Sequence, residues 1–174
     1  MAISFIDLAA QQAGIRGRLD QAIARVLDQG NYIMGPQVKE FENGLAEFCG
    51  AKHAISCANG TDALSLALMA LDVKAGDAVF VPSFTFAATA EVVPFISATP
   101  VFVDVHPDTF NMDVESLKRA IQHARTLGLA PKCVIPVDLF GLAADFDAIF
   151  AVARENGMSV IDDAAQGFGA RYHG

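Results

Sequence analysis

The chain reads as an α/β protein with a doubly wound, mostly parallel sheet, and three observations lead there. From residue 53 onward, short apolar runs alternate with amphipathic helical patterns, the order that builds strand–helix–strand crossovers. The runs Val79-Phe80-Val81 and Val134-Ile135-Pro136-Val137 are apolar on both faces, as strands covered by helices on two sides are. Glycines, hydroxyls and carboxylates follow these runs, where the loops of such sheets bind ligands.

The elements follow in order. After Phe5-Ile6-Asp7-Leu8, the residues Ile15, Leu19, Ile23 and Val26 share one helical face, which Gly30-Asn31-Tyr32 ends. Gly35-Pro36 opens the next helix, with proline at an early position where its missing N–H costs little. Val38, Phe41, Leu45 and Phe48 then form its apolar face. Residues 1–52 are therefore read as an N-terminal helical segment, expected to pack on the main body or against a partner chain. Residues 53–174 form the main domain. Strands are predicted at 53–57, 78–81, 100–103, 133–137 and 159–161, with helices at 60–72, 86–96, 114–125 and 145–156 between them. Asp113 and Asp145 are suited to cap helix starts, and Gly157 to stop a helix.

Composition narrows the function. The 174 residues are 53% hydrophobic and 18% charged, which suits one compact domain or a large piece of one. A net charge of −8 without a cluster of Lys and Arg argues against nucleic acid as a partner. Cys49, Cys57 and Cys133 are odd in number and far apart, pointing to reduced thiols in the cytoplasm, and the scattered histidines offer no metal-ligand spacing. Residues 78–103 carry a single charge, Glu91, yet Pro82, Pro94 and Pro100 cut them into strand and helix lengths, so they read as core and not as a membrane span. Asp7 in the first apolar stretch, with no basic start, does not fit a signal peptide.

The chemistry collects around Ile55-Ser56-Cys57-Ala58-Asn59-Gly60-Thr61-Asp62-Ala63-Leu64, a short apolar run, a turn and an immediate helix. The start of that helix has free N–H groups and a partial positive charge, a seat for an anion, with Gly60 allowing close approach and Thr61 adding a hydroxyl. The same residues also read as a capped corner with no ligand. Asp162-Asp163 places two carboxylates at the end of a buried strand, where they repel each other unless one has a cationic partner; alternatively both are solvated or cap a turn. Phe86, at a loop-to-helix junction, is either core or a ring that stacks on a flat ligand. A phosphate cup, a stacking ring and a carboxylate together suit pyridoxal 5'-phosphate (PLP), whose pyridine nitrogen is kept protonated by a nearby acid.

Those motifs carry a family resemblance across essentially the whole chain. Phe5–Leu8, Tyr32–Pro36, Ala58–Leu64, Pro82–Glu91, Pro136–Gly141 and Asp163–Gln166, in this order and spacing, resemble the DegT/DnrJ-type nucleotide-sugar aminotransferases, PLP enzymes of fold type I. The resemblance implies the large domain of the aspartate-aminotransferase fold. It implies that Gly60 and Thr61 hold the PLP phosphate, that Phe86 stacks on the pyridine, that Asp163 pairs with the ring nitrogen, and that Gln166 lies near the phenolic oxygen. Asp162 stands where relatives often have glutamate. The implied reaction takes an amino group, expected to come from glutamate, to a keto group of a nucleotide-linked sugar. The wording is closest to members acting on UDP-linked sugars, with a 3-keto hexosaminuronate as the best single match. A role in surface polysaccharide or lipopolysaccharide O-antigen synthesis and a homodimer when full length are implied with it.

One departure stands out. The family's Schiff-base lysine follows the Asp-Ala-Ala-Gln element in a Ser-Phe-[Phe/His]-Pro-x-Lys-like motif, and none of Lys39, Lys52, Lys74, Lys118 and Lys132 has that context. The chain is thus expected to be a truncated large domain, inactive alone, with the small C-terminal domain also missing. Rival readings are a decayed remnant with weak PLP affinity, or a pyridoxamine-dependent deoxysugar dehydratase with histidine in place of the lysine. A different phosphate-binding α/β domain is the third rival, but no GxGxxG or GxxxxGK[ST] follows any strand.

Overall fold

The structure, a computed structural model, describes residues 5–174. It contains two compact units, one running to Ser56 and the other from Cys57 to Gly174.

The first unit is a pair of helices. Helix α1 (Leu8–Gln29) starts where the Asp7 carboxylate accepts the Ala10 N–H at 2.9 Å, and it ends on left-handed Gly30. Helix α2 (Pro36–Cys49) begins with proline in its first turn and ends on left-handed Gly50. A Cβ at Gly35 would collide with the Asn31 carbonyl oxygen, so the turn between the helices requires glycine there. Arg25 of α1 pairs with Glu40 of α2 at 3.2 Å. Glu42 accepts both the N–H and the hydroxyl of Ser56, at 2.9 and 2.8 Å, tying the following extended segment to α2.

The second unit is the doubly wound domain. Helix α3 (Gly60–Ala70) leads into four parallel strands joined by helices: β1 (Asp77–Pro82), α4 (Ala88–Phe95), β2 (Thr99–Val103), α5 (Val114–Thr126), β3 (Ala130–Val134), α6 (Phe146–Glu155) and β4 (Ser159–Val160). The sheet order is β2-β1-β3-β4. Strand β1 lies at its heart, and all six of its residues are buried. Its side chains alternate between two cores. Ala78 and Phe80 join Leu117, Ile121 and Ile149 of α5 and α6; Val79 and Val81 join Leu64, Leu68, Val92 and Val93 of α3 and α4. Each core removes apolar surface from water on its own side, which is why Ala78, Val79, Phe80 and Val81 are all apolar. Asp113 and Asp145 cap α5 and α6 as expected, accepting the N–H groups of Glu115 and Ala148.

Three local expectations need correction. Residues 53–57 are extended but form no strand: among the described residues no neighbour supplies the ladder hydrogen bonds that define one, and Ile55 stays 88% exposed. The strand expected at 133–137 lies at Ala130–Val134, because Pro136 has no N–H to continue a ladder. Beyond it, pairing persists only in pieces, through the Val137–Asp163 bridge and the Asp138 N–H to Asp163 carbonyl bond of 3.1 Å. Helix α4 starts at Ala88, so Phe86 belongs to the turn that precedes it.

Candidate active site

Strand order reverses at β1 and β3: the chain leaves β1 through α4 to reach β2, then recrosses beneath α5 to reach β3. Beyond the carboxyl ends at such a switch point the connecting loops part and leave a crevice. Here the crevice is a cavity of about 300 Å3, lined by Gly60, Thr61 and Leu64 of α3, by Thr85, Phe86 and Ala88 after β1, by Val137 and Leu139 after β3, and by Asp163, Ala165 and Gln166 after β4. All five residues singled out in the sequence, Gly60, Thr61, Phe86, Asp163 and Gln166, meet on its wall. A larger open groove of about 450 Å3 on α5 and α6 is lined by both acids and bases, among them Glu115, Lys118, Arg119 and Glu155, which offer no single sign of charge to a ligand.

The start of α3 is prepared on one side and open on the other. Asn59 Oδ1 accepts the Asp62 N–H at 2.9 Å and the Asn59 carbonyl accepts Ala63 N–H at 3.0 Å. The N–H groups of Gly60 and Thr61 have no intrahelical acceptor at this position. A Cβ added at Gly60 would meet no atom within 4 Å, so the space above it belongs to the cavity.

The opposite wall is acidic. The Asp163 carboxylate accepts the Thr89 hydroxyl at 3.0 Å and, more weakly, the Ala165 N–H at 3.4 Å. Asp138, buried, accepts the Ala144 N–H at 2.9 Å. Burial, opposed by that N–H bond and helped by the Asp163 charge, holds the Asp138 carboxyl above the usual carboxylate range. Burial of the carboxyl, then the charges of Asp138 and Asp163, pushes Asp162 up to about 6, although the residue as a whole is exposed. No salt bridge reaches Asp163 among the described residues. This is a wall short of positive charge.

Gln166 is held by its carbonyl end, which accepts the Phe140 N–H at 2.7 Å. Phe140 can present that N–H because its backbone is left-handed, with φ 57°, a strained state for a large side chain. Its ring meets Phe110 edge-on at 5.9 Å, and Phe110 meets Phe84 at 5.4 Å. This aromatic chain, and Thr89 behind Asp163, escaped the sequence reading. Thr89 had a detectable signal: it is a hydroxyl in the apolar helix Ala88–Phe95, and buried hydroxyls need partners. The three phenylalanines are too far apart in sequence for a pattern to join them.

Residues 14–174 match the family model described as the DegT/DnrJ/EryC1/StrS aminotransferase family. The chain belongs to that family.

Among its relatives, the UDP-2-acetamido-2-deoxy-3-oxo-D-glucuronate aminotransferase of Pseudomonas aeruginosa is 54% identical over 172 residues, covering 99% of this chain and 46% of the relative. A crystal structure of a DegT DnrJ EryC1 StrS aminotransferase from Brucella abortus superimposes with a TM-score of 0.93 at 56% identity, over 97% of this chain and 45% of the other. The ntda structure from Bacillus subtilis, which has the cofactor pmp bound, gives 0.79 at 32% identity, over 86% and 33%. The chain thus spans less than half the length of these relatives. The fold is that of the PLP fold type I sugar aminotransferases. The cavity of this family member fits a phosphorylated pyridine in kind. It offers free helix N–H groups over an open glycine, a carboxylate that no salt bridge reaches among the described residues, and an exposed aromatic ring.

Proposed function

We propose that this chain is the cofactor-holding part of a PLP-dependent aminotransferase that acts on a UDP-linked keto sugar. The observation that supports it best is the convergence of Gly60, Thr61, Phe86, Asp163 and Gln166 on one cavity at the switch point of the sheet. In this reading the Gly60 and Thr61 N–H groups and the Thr61 hydroxyl bind the cofactor phosphate, with the partial positive charge of α3 behind them. Phe86 covers one face of the ring. Asp163 accepts a proton-bearing ring nitrogen, and the Gln166 amide donates to the phenolic oxygen. Bound PLP supplies the electron sink that lets an amino group move between carbons. The protein's part is to bind, orient and keep the ring nitrogen protonated.

The substrate reading rests on the name of the Pseudomonas aeruginosa relative, a 3-oxo glucuronate sugar on UDP. Glutamate as amino donor, homodimerisation, a cytoplasmic location and a role in surface polysaccharide such as O-antigen complete the proposal. Among the described residues no lysine lines the cavity. We therefore assign to the residues on its wall the binding and orientation of the cofactor.

The experiment is to titrate the purified protein with PLP and follow absorbance, beside Asp163→Ala. Saturable binding that Asp163→Ala weakens at least tenfold supports the reading. The natural gene product is then given glutamate and the UDP-3-keto sugar, and mass spectrometry looks for the 3-amino product. No PLP binding by either protein sinks the cofactor assignment; binding without product sinks the substrate.

A further inference from the structure

Thr89 is fully buried on α4, in a helix whose other buried residues, Ala88, Val92 and Val93, are apolar. A hydroxyl in that setting is costly unless it is bonded, so the choice of threonine over valine reflects a partner. That partner is Asp163 Oδ2, 3.0 Å away across 74 residues of sequence. The Thr85 hydroxyl, from the loop four residues earlier, lies 3.2 Å behind it, and Thr85 itself lines the cavity.

The relay has a single direction. An ionised carboxylate only accepts, so Thr89 spends its single proton on Asp163; the bond between the hydroxyls must then be donated by Thr85. Facing the same carboxylate are two further acids, Asp138 after β3 and Asp162 beside it, both of which interact with it electrostatically. Among the described residues the other donor to it is the Ala165 N–H, at a long 3.4 Å. Thr89 is therefore the closer of the two hydrogen-bond donors to the Asp163 carboxylate among the described residues.

We propose that Thr89 is a positioning residue whose hydroxyl, backed by Thr85, donates to the Asp163 carboxylate and holds it turned to receive a cationic ring N–H. The nature of that N–H rests on the cofactor reading above; the relay itself is a property of the protein.

The test compares wild type with Thr89→Val, which keeps the shape and removes the hydroxyl, and with Thr89→Ser, which restores it. The first readout needs no cofactor: the Asp163 carboxyl is titrated by carbon-13 NMR. Thr89→Val should raise its proton affinity about tenfold, Thr89→Ser should return it toward wild type, and Thr85→Val should produce a smaller rise. The second readout is PLP affinity by absorbance, expected to fall about tenfold in Thr89→Val and to recover in Thr89→Ser. An Asp163 titration unmoved by Thr89→Val overturns the relay, even if PLP binds and Asp163→Ala weakens it. A moved titration in a protein that binds no PLP supports the relay and rejects the cofactor. Thr85→Val carries the same decision should Thr89→Val not fold.

Discussion

Gln166 Oε1 accepts the Phe140 N–H at 2.7 Å, and this fixes which end of the amide is left for a ligand. Because the carbonyl oxygen is engaged, the NH2 group remains as the donor on the cavity wall. The left-handed backbone of Phe140, which directs the N–H there, is tolerated for this contact.

Replacing Gln166 by glutamate separates the two ends. Glutamate keeps an acceptor for Phe140 and loses the donor, so the melting temperature should stay within about 2 °C of wild type. PLP affinity, read by absorbance titration, should fall about tenfold or more, because a donor is lost and a negative charge gained. Gln166→Ala should lower both quantities. A glutamate variant that binds PLP as wild type does would remove Gln166 from the site.

Gly60 should respond in the opposite way to an ordinary packed glycine. A methyl group there meets nothing within 4 Å, and its backbone is not left-handed. Alanine at a helix start also reduces the freedom of the unfolded chain, so Gly60→Ala should leave stability unchanged or raise it by up to about 1 kcal/mol. The methyl group nonetheless occupies cavity space over the free N–H groups. Weakened binding of PLP and of inorganic phosphate, with unchanged urea denaturation, is the expected pair of results.

What could be read in the sequence and what could not divides along physical lines. β1 and α3 were legible because their apolar periods are local: Val79-Phe80-Val81, and Leu64 with Leu68, declare their burial within a few residues. The gathering of Gly60, Thr61, Phe86, Asp163 and Gln166 on one cavity was legible because each follows an element and belongs to a family motif. The 53–57 segment misled because an apolar run reports burial tendency, whereas a strand needs a paired neighbour. Pro136 shortened β3 by the loss of one donor. The Thr89–Asp163 bond and the Phe84–Phe110–Phe140 chain arise from the packing of loops far apart in sequence, so no local period announces them.

Asp162 gives a stability profile with a definite sign. Its folded-state carboxyl is pushed up to about 6, above the ordinary value near 3.8, so between these limits the folded chain holds more proton than the unfolded one. Stability from this group is then greatest below about pH 4 and is lost as pH rises toward about 6. Asp138, raised in the same direction by burial, contributes a slope of the same sign. Asp162→Asn should flatten the fall in unfolding free energy across that window and be more stable than wild type at pH 7. Urea titrations at pH 4, 5, 6 and 7 would show it; a wild-type curve that rises through this interval for reasons traced to Asp162 would contradict the assignment.

Gly167 is the counterpart of Gly60. Its backbone is also free of left-handed strain, yet a Cβ built there would lie 2.6 Å from Asp138 Cβ and 2.7 Å from Asp138 Oδ2. Neither neighbour can yield easily. Asp138 is buried, and its other oxygen holds the Ala144 N–H at 2.9 Å. Moving it would leave a buried N–H unpaired and shift an acid that faces Asp163. Gly167→Ala should therefore cost about 1–3 kcal/mol of stability by urea denaturation, as overpacking does. The Ala144 amide should lose protection from hydrogen exchange in the same variant, while the Ala63 amide at the start of α3 keeps its own. Equal, near-zero costs for Gly60→Ala and Gly167→Ala would mean that the Asp138 loop yields freely, and the close packing of Gly167 on Asp138 would then not be what holds this wall of the cavity.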